Sequence, residues 1–236
     1  MLKEKIVQEH GLQFLKNYYN NRFFRKRIFL ATEVSTKQIF GGKRADGLIV
    51  FQKGIWRKPF VVSMEAKSIK TLPAIKPQLD YRRLLRNSCR FGGEFCLVSG
   101  FIFLFFQERF GLSWIDLFLF LIVVASVYAF TTLKSHRHQT VDVIDQLKQY
   151  PANEQWLAFS GDAFSSLAPA IQKMLRAICS RKGIGILIIK RKNQVRMLVK
   201  PKRNRSGFLE KRGGWHWISD FLFYYRREAE IREYIL

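Results

Sequence analysis

Three charged side chains, Asp46, Glu65 and Lys67, sit in KRADGLIVFQKGIWRKPFVVSMEAK (43–67), in or at the edge of apolar runs that call for burial. An unpaired carboxylate or ammonium group is costly to remove from water, so burying three of them requires opposite charges or a metal ion. If 45–51 and 59–67 are neighbouring strands, Glu65 and Lys67 share a face and Asp46 meets them across the ladder. Two carboxylates and a lysine converging there offer oxygen ligands for one or two Mg²⁺ ions, with the backbone carbonyl of Ala66 as a further ligand. The ammonium orients a water and stabilises developing negative charge. That is the apparatus for hydrolysing a phosphodiester. The plainer alternative is a structural Asp46–Lys67 ion pair, with Glu65 partnered by an arginine.

The elements that must position these residues form an α/β pattern. A helix over about 2–20 is followed by three extended segments, 27–36, 45–51 and 59–67, rich in β-branched and aromatic residues and separated by glycines. Further on come a helix at 141–150, a strand at 154–160, a helix at 165–182 and strands at 184–190 and 195–200. The nearly continuous apolar run 184–189 reads as a strand covered on both faces, which demands a larger mixed sheet. The two halves therefore predict one α/β domain with a mixed central sheet flanked by helices.

With that order of elements, the residues resemble the PD-(D/E)XK, or restriction-endonuclease-like, nuclease superfamily. A helix, a strand meander bearing an Asp and then a strand bearing Glu-x-Lys are matched by Asp46 and by Glu65-Ala66-Lys67, the single acidic-x-Lys triplet in the chain. Ala45 stands where the superfamily's name has proline. Gln146 and Tyr150, at i and i+4 in QLKQY, are similar to the QxxxY signature of RecB-like members and share one helix face. The resemblance implies catalytic roles for Asp46, Glu65, Lys67, Gln146 and Tyr150, and a Mg²⁺ site that accepts Mn²⁺. It also implies a metal-completing acid on the first helix. Glu4 fits that role, lying on the stripe of Val7, Gly11, Phe14, Leu15 and Tyr18, whereas Glu9 lies opposite. Glu33 is a second candidate, or simply a solvent-facing strand residue.

The chain changes character at residue 95. FCLVSGFIFLFF (95–106) and SWIDLFLFLIVVASVYAFTTL (113–133) are apolar, the second carrying only Asp116 as a charge. They predict a two-helix transmembrane hairpin inserted into the nuclease-like domain. Arg82, Arg83, Arg86 and Arg90 before it and Lys134 and Arg137 after it would hold both termini on the cytoplasmic side of the inner membrane. The expected organisation is a first half-domain (1–90), the hairpin (91–135), a second half-domain (136–205) and an aromatic-rich C-terminal helix (206–236).

Composition bounds the partners. The 236 residues are 48% apolar and 15% aromatic, which excludes a disordered chain, and carry a formal net charge of +23. Such charge attracts polyanions, either nucleic acid or anionic lipid. The first 93 residues hold 20 Lys+Arg against 6 Asp+Glu, and KRKNQVRMLVKPKRNR (190–205) adds a second basic group. Lys43, Arg44, Lys190, Arg191 and Lys192 are assigned to DNA, with RNA also admissible, and the four arginines at 82–90 to a lipid bilayer. Cys89, Cys96 and Cys179 show no metal-knuckle spacing, the four histidines form no ligand set, and no G-x-S-x-G, Walker or dinucleotide fingerprint occurs. The expectation is a membrane-anchored DNA nuclease, plausibly acting on entering foreign DNA. The alternatives are an inactive tethering module, or a homo-oligomer in which the hairpin itself is the working part.

Overall fold

In the computed structural model the chain is described at residues 2–23, 27–38, 42, 44–53, 58–75, 77–82, 84–94, 114–132, 139–190, 194–204, 207–211, 214–218 and 220–235. It divides into two compact units, one made of Met1–Lys76 with Val141–Leu236, the other of Pro77–Thr140.

The first unit is built on a six-stranded sheet. Its strands are β1 (Phe29–Ser35), β2 (Arg44–Lys53), β3 (Lys58–Lys67), β6 (Glu154–Ser160), β7 (Ile184–Ile189) and β8 (Val195–Val199), adjacent in that order. β1, β2 and β3 form an antiparallel meander, β6 and β7 run parallel to β3, and β8 returns antiparallel to β7. The parallel pairs lie at the centre, where both faces are covered, and β6 and β7 are buried at every position.

One face of the sheet is covered by α1 (Glu4–Phe23). Val7, Leu12, Leu15 and Tyr19 of α1 pack with Ile49, Phe51, Phe60, Val62, Met64 and Trp156. Two glycines permit the close approach: a Cβ at Gly11 would fall 2.8 Å from Met64 Sδ, and one at Gly47 would fall 2.7 Å from Leu12 Cδ2. The other face carries α4 (Asp142–Lys148), α5 (Gly161–Ser166) and α6 (Pro169–Lys182) over β6 and β7. The aromatic C-terminal segment covers β1, β2 and β3. Phe221, Leu222, Tyr224 and Tyr225, then Ile231 and Ile235 of α7 (Glu228–Ile235), are buried against Leu48, Val50 and Val61.

Two expectations change in this unit. The single helix read over 165–182 is two, because Leu167 and Ala168 are extended and Pro169 restarts the chain as a helical N1 residue. The aromatic-rich helix read at the C-terminus is confined to α7. Before it, β9 (Gly207–Lys211) and β10 (Gly214–Ile218) form an antiparallel pair and Phe221–Tyr224 makes one 3₁₀ turn.

The second unit begins and ends on paired short strands, β4 (Pro77–Leu79) and β5 (Gln139–Val141). Within it α2 (81–94, described except for 83) lies against α3 (Trp114–Thr132), with the Phe91 and Tyr128 rings stacked at 4.6 Å. Among the described residues no helix is long and apolar enough to cross a membrane. The predicted transmembrane hairpin, and with it the multi-pass inner-membrane localisation, is therefore corrected. The first run, 95–106, lies outside the described residues. The second becomes α3, whose 19 residues rise about 28 Å and include Asp116 and the polar Ser126, Tyr128, Thr131 and Thr132, against a bilayer core of about 30 Å. The sequence reading treated the whole of 113–133 as one apolar block. Its hydropathy instead leaves α3 with exposed Ile115, Phe118, Val123, Val127 and Phe130.

Candidate active site

β2 and β3 pair as far as Gly47↔Met64, and beyond that point the ladder is replaced by a side chain. Asp46 Oδ2 accepts the Ala66 N–H at 2.8 Å, a charge-assisted bond that fixes the carboxylate beside the end of β3. The opposite side of β2 is irregular at the same level. Thr32↔Gly47 and Val34↔Ala45 pair, while Glu33, facing Asp46 between them, adopts φ 55°. A non-glycine residue in the left-handed region marks local strain. Gln8 of α1 donates from Nε2 to the Asp46 carbonyl, so the backbone of Asp46 is held as well as its carboxylate.

Glu65 and Lys67 project together from the last turns of the β3 pleat. Lys67 Nζ donates to Glu65 Oε1 at 2.8 Å, and the two side chains are 9% and 2% exposed. Glu65 Oε2 is buried and has no hydrogen-bond partner among the described residues. Burial, then the neighbouring Asp46 carboxylate, push Glu65 up to about 7, while the ion pair with Lys67 opposes the shift. Asp46 is raised too, chiefly by burial, with the Ala66 N–H and the Lys67 charge pulling the other way. Glu4 adds negative charge felt by both carboxylates. Its Oε2 is 3.0 Å from the Thr71 hydroxyl and 3.5 Å from that of Ser68, on the turn that follows β3.

α4 closes the group. Tyr150, just past its end, is buried, and its hydroxyl donates to the Arg44 carbonyl at 2.6 Å while accepting from Gln146 Nε2 at 3.1 Å. Burial first, then the charges of Glu65 and Asp46, raise the Tyr150 hydroxyl to about 12, so it stays a protonated donor. Gln155 Nε2 bonds the carbonyls of Leu147 and Tyr150, both at 2.8 Å, anchoring the end of this helix to β6. An open recess of about 580 Å³ lies alongside, lined by Arg44, Asp142, Asp145, Gln146, Gln149 and Tyr150.

The fold thus brings Glu4, Asp46, Glu65, Ala66, Lys67, Gln146 and Tyr150 to one end of the sheet. The residues read as binding nucleic acid fare differently. Arg44 is exposed and lies 3.5 Å from Glu33, which turns Glu33 outward rather than into the site. Lys190 is exposed at the C-terminal end of β7, two strands from β3 and so about 10 Å away in the sheet. Lys43, Arg191 and Lys192 lie outside the described residues. Sequence reasoning missed Gln8, Ser68, Thr71 and Gln155. Of these only Gln155 carried a signal, as an uncharged polar residue inside the buried strand 154–160.

Among the described residues no group of three or more His, Cys, Asp or Glu side chains is close enough to hold a metal ion. A site here would draw on two side-chain carboxylates and backbone oxygen, and the buried, unpartnered Glu65 Oε2 fits that donor set. Comparison with protein-family models, with curated proteins and with solved structures finds no match to the chain.

Proposed function

We propose that the chain is a Mg²⁺-dependent nuclease of PD-(D/E)XK type that hydrolyses DNA phosphodiester bonds. The observation that carries this reading is the buried Glu65–Lys67 pair beside Asp46, with Glu65 Oε2 left without a partner. A purely structural ion pair is normally satisfied at every buried oxygen. Perturbed carboxylates packed against a lysine, at the carboxyl end of β3 and the adjoining amino end of β2, are more characteristic of a working site.

Asp46, Glu65 and the Ala66 carbonyl would hold the ion, with Glu4 adding negative charge beside them. Bound there, Mg²⁺ supplies Lewis-acid stabilisation of charge on the phosphate oxygens. Lys67 orients the attacking water and donates to the charge that accumulates on the phosphoryl oxygens. One P–O bond forms to the water oxygen, the P–O bond to the departing sugar oxygen breaks, the attacking water gives one proton to solvent, and the departing sugar oxygen takes one proton from solvent. Tyr150 and Gln146 act by positioning, through the Arg44 carbonyl and hence the strand that carries Asp46.

Cleavage of linear and circular DNA by the purified chain, with Mg²⁺ and with EDTA, tests the reading. Mg²⁺-dependent products absent from Glu65→Ala and Lys67→Ala are expected. Undiminished cleavage in both variants would overturn it, and bound but uncut DNA in the wild type would favour a binding module instead.

A further inference from the structure

The opposite end of the same sheet carries a second charged arrangement that the carboxylate site does not use. Lys53, at the end of β2, places its ammonium 4.0 Å from the centroid of the Phe23 ring and 4.7 Å from that of Phe60. The Arg22 guanidinium lies 5.0 Å from the centroid of the Phe23 ring, and that of Arg203 lies 5.3 Å from that of Phe60. Three cations therefore share two rings that are themselves 5.8 Å apart. Among the described residues the nearby carboxylate is Glu154, which is buried and already engaged by the Tyr19 hydroxyl and by Arg22 at 3.1 Å. Neither Lys53 nor Arg203 has an ion-pair partner among the described residues. Their mutual repulsion is felt, since burial and then the charges of Arg203 and Arg22 lower the Lys53 pKa.

The arrangement is held in place before any ligand arrives. Cation–π contacts restrain three side chains that otherwise lose much rotamer freedom on binding. The backbone next to Arg203 is pinned by Asn204, whose N–H donates to the Asn153 carbonyl at 2.7 Å and whose side chain donates to the Ala152 carbonyl at 3.2 Å. Asn153 in turn accepts the Val61 N–H at 2.8 Å, tying the segment to β3. Arg22 keeps 41% of its side chain exposed and Arg203 is exposed, so the cluster presents an open edge rather than a closed pocket. An open row of fixed cations suits an extended polyanion better than a small enclosed ligand.

We propose that Arg22, Lys53 and Arg203 form a second phosphate-contacting site, engaging the backbone of a nucleic acid whose scissile phosphate lies at Glu65 and Lys67. This rests on the nuclease reading. Lys53 pairs with Lys58, the first residue of β3, and Lys67 is the last. Nine residues at about 3.3 Å each separate the two ends by about 30 Å, roughly nine nucleotides at about 3.4 Å per step along one strand. The contacts are to phosphate, so they add affinity and register without sequence preference.

Fluorescence anisotropy of 8-mer and 20-mer DNA, in EDTA so that nothing is cut, separates this site from catalysis. The full chain is compared with Lys53→Ala/Arg203→Ala and Lys53→Arg/Arg203→Lys. The expected result is at least tenfold weaker 20-mer binding in the alanine pair, with a salt dependence shallower by about two phosphate contacts. The charge-keeping pair should bind within threefold of the wild type, and the 8-mer, too short to span both ends, should lose less affinity than the 20-mer in the alanine pair. An alanine pair that is folded by circular dichroism yet binds the 20-mer like the wild type would overturn the proposal. So would inorganic phosphate displacing the 20-mer at micromolar concentration, which would assign the cluster to a free phosphate ligand. Absence of cleavage in Mg²⁺ would sink the nuclease reading alone and leave these binding results standing.

Discussion

The Tyr150 hydroxyl donates to the Arg44 carbonyl at 2.6 Å, joining residues 106 positions apart and fixing the backbone two residues before Asp46. The bond ties the helix that follows the inserted unit to the strand that precedes it. Tyr150→Phe keeps the ring and removes only the hydroxyl. A net loss of about 1–2 kcal/mol of stability is expected, because the bond to the Arg44 carbonyl and the one from Gln146 are both removed. If Asp46 is positioned through this bond, the variant should lose at least tenfold in cleavage rate with substrate affinity unchanged. Gln146→Ala, on an exposed residue, should lose less on both counts. Urea denaturation and steady-state kinetics would distinguish this from a general packing role, which would lower stability without moving kcat.

Glu65 makes the stability of the metal-free protein depend on pH. Its folded pKa of about 7 lies above the ordinary 4.5, so between those values the folded state binds more protons than the unfolded one. Stability attributable to this group is therefore fully present below about pH 4.5 and is lost as the pH rises towards 7. Glu65→Gln should flatten that part of the profile. Chemical denaturation in EDTA at pH 5 and pH 7.5 checks it. A wild type and a glutamine variant with parallel profiles would show that Glu65 titrates normally.

Removing Lys67 alone should be worse than removing the pair. Lys67→Met leaves Glu65 buried opposite Asp46 with no cation, and breaking one side of a buried pair typically costs about 3–5 kcal/mol. Glu65→Gln/Lys67→Met restores neutrality and should recover at least half of that loss. A thermodynamic cycle from denaturant midpoints measures the coupling; strictly additive effects would mean the 2.8 Å contact contributes nothing.

How much of this was legible in the sequence depends on whether the determinant was local. The strands at 45–51, 59–67, 154–160 and 184–190 all stand within two residues of those observed, because a short β-branched run between glycines specifies itself. β2 runs on to Lys53 because the polar, half-buried Gln52 and Lys53 still pair with Pro59 and Lys58 of β3. Glu65 and Lys67 were readable for the same reason, since side chains two apart on a strand must share a face. The hydroxyl and amide partners of Glu4 and Asp46 were not, since Thr71, Ser68 and Gln8 reach them by tertiary packing alone. At the C-terminus GWHWI alternates with period two and forms β10, while aromatic content had suggested a helix. Hydropathy misled most at 113–133, where an apolar window carries no information on whether its face is covered by protein or by lipid.

Gly185 is a packing requirement independent of the site. A Cβ there would lie 2.3 Å from Trp156 Cε3, and Trp156 is completely buried between α1 and the sheet. Its indole N–H donates to the Tyr19 hydroxyl at 2.8 Å, so the ring cannot shift without breaking that bond. Gly185→Ala should destabilise by about 3 kcal/mol or more, at the upper end of overpacking costs. Thermal unfolding followed by near-ultraviolet circular dichroism would show it, together with a changed tryptophan environment. An unchanged midpoint would mean that β7 can move away from β6 at little cost.

Divalent ions should stabilise the folded chain if the carboxylates hold them. Ligand binding to the native state alone raises stability by an amount set by concentration over Kd, about 2.7 kcal/mol at a hundredfold excess. Mg²⁺ should therefore raise the midpoint of unfolding at pH 7.5, and EDTA should return it. The rise should vanish in Glu65→Gln and in Asp46→Asn. Those two variants differ in what else they disturb, because Asp46→Asn weakens the 2.8 Å bond from the Ala66 N–H and Glu65→Gln does not. In EDTA at neutral pH, Asp46→Asn should lose the charge assistance of that bond and Glu65→Gln should lose the ion pair with Lys67, so each variant is compared with its own EDTA baseline. A Mg²⁺-induced rise of equal size in both variants would place the ion elsewhere and remove the buried Glu65 oxygen as its ligand.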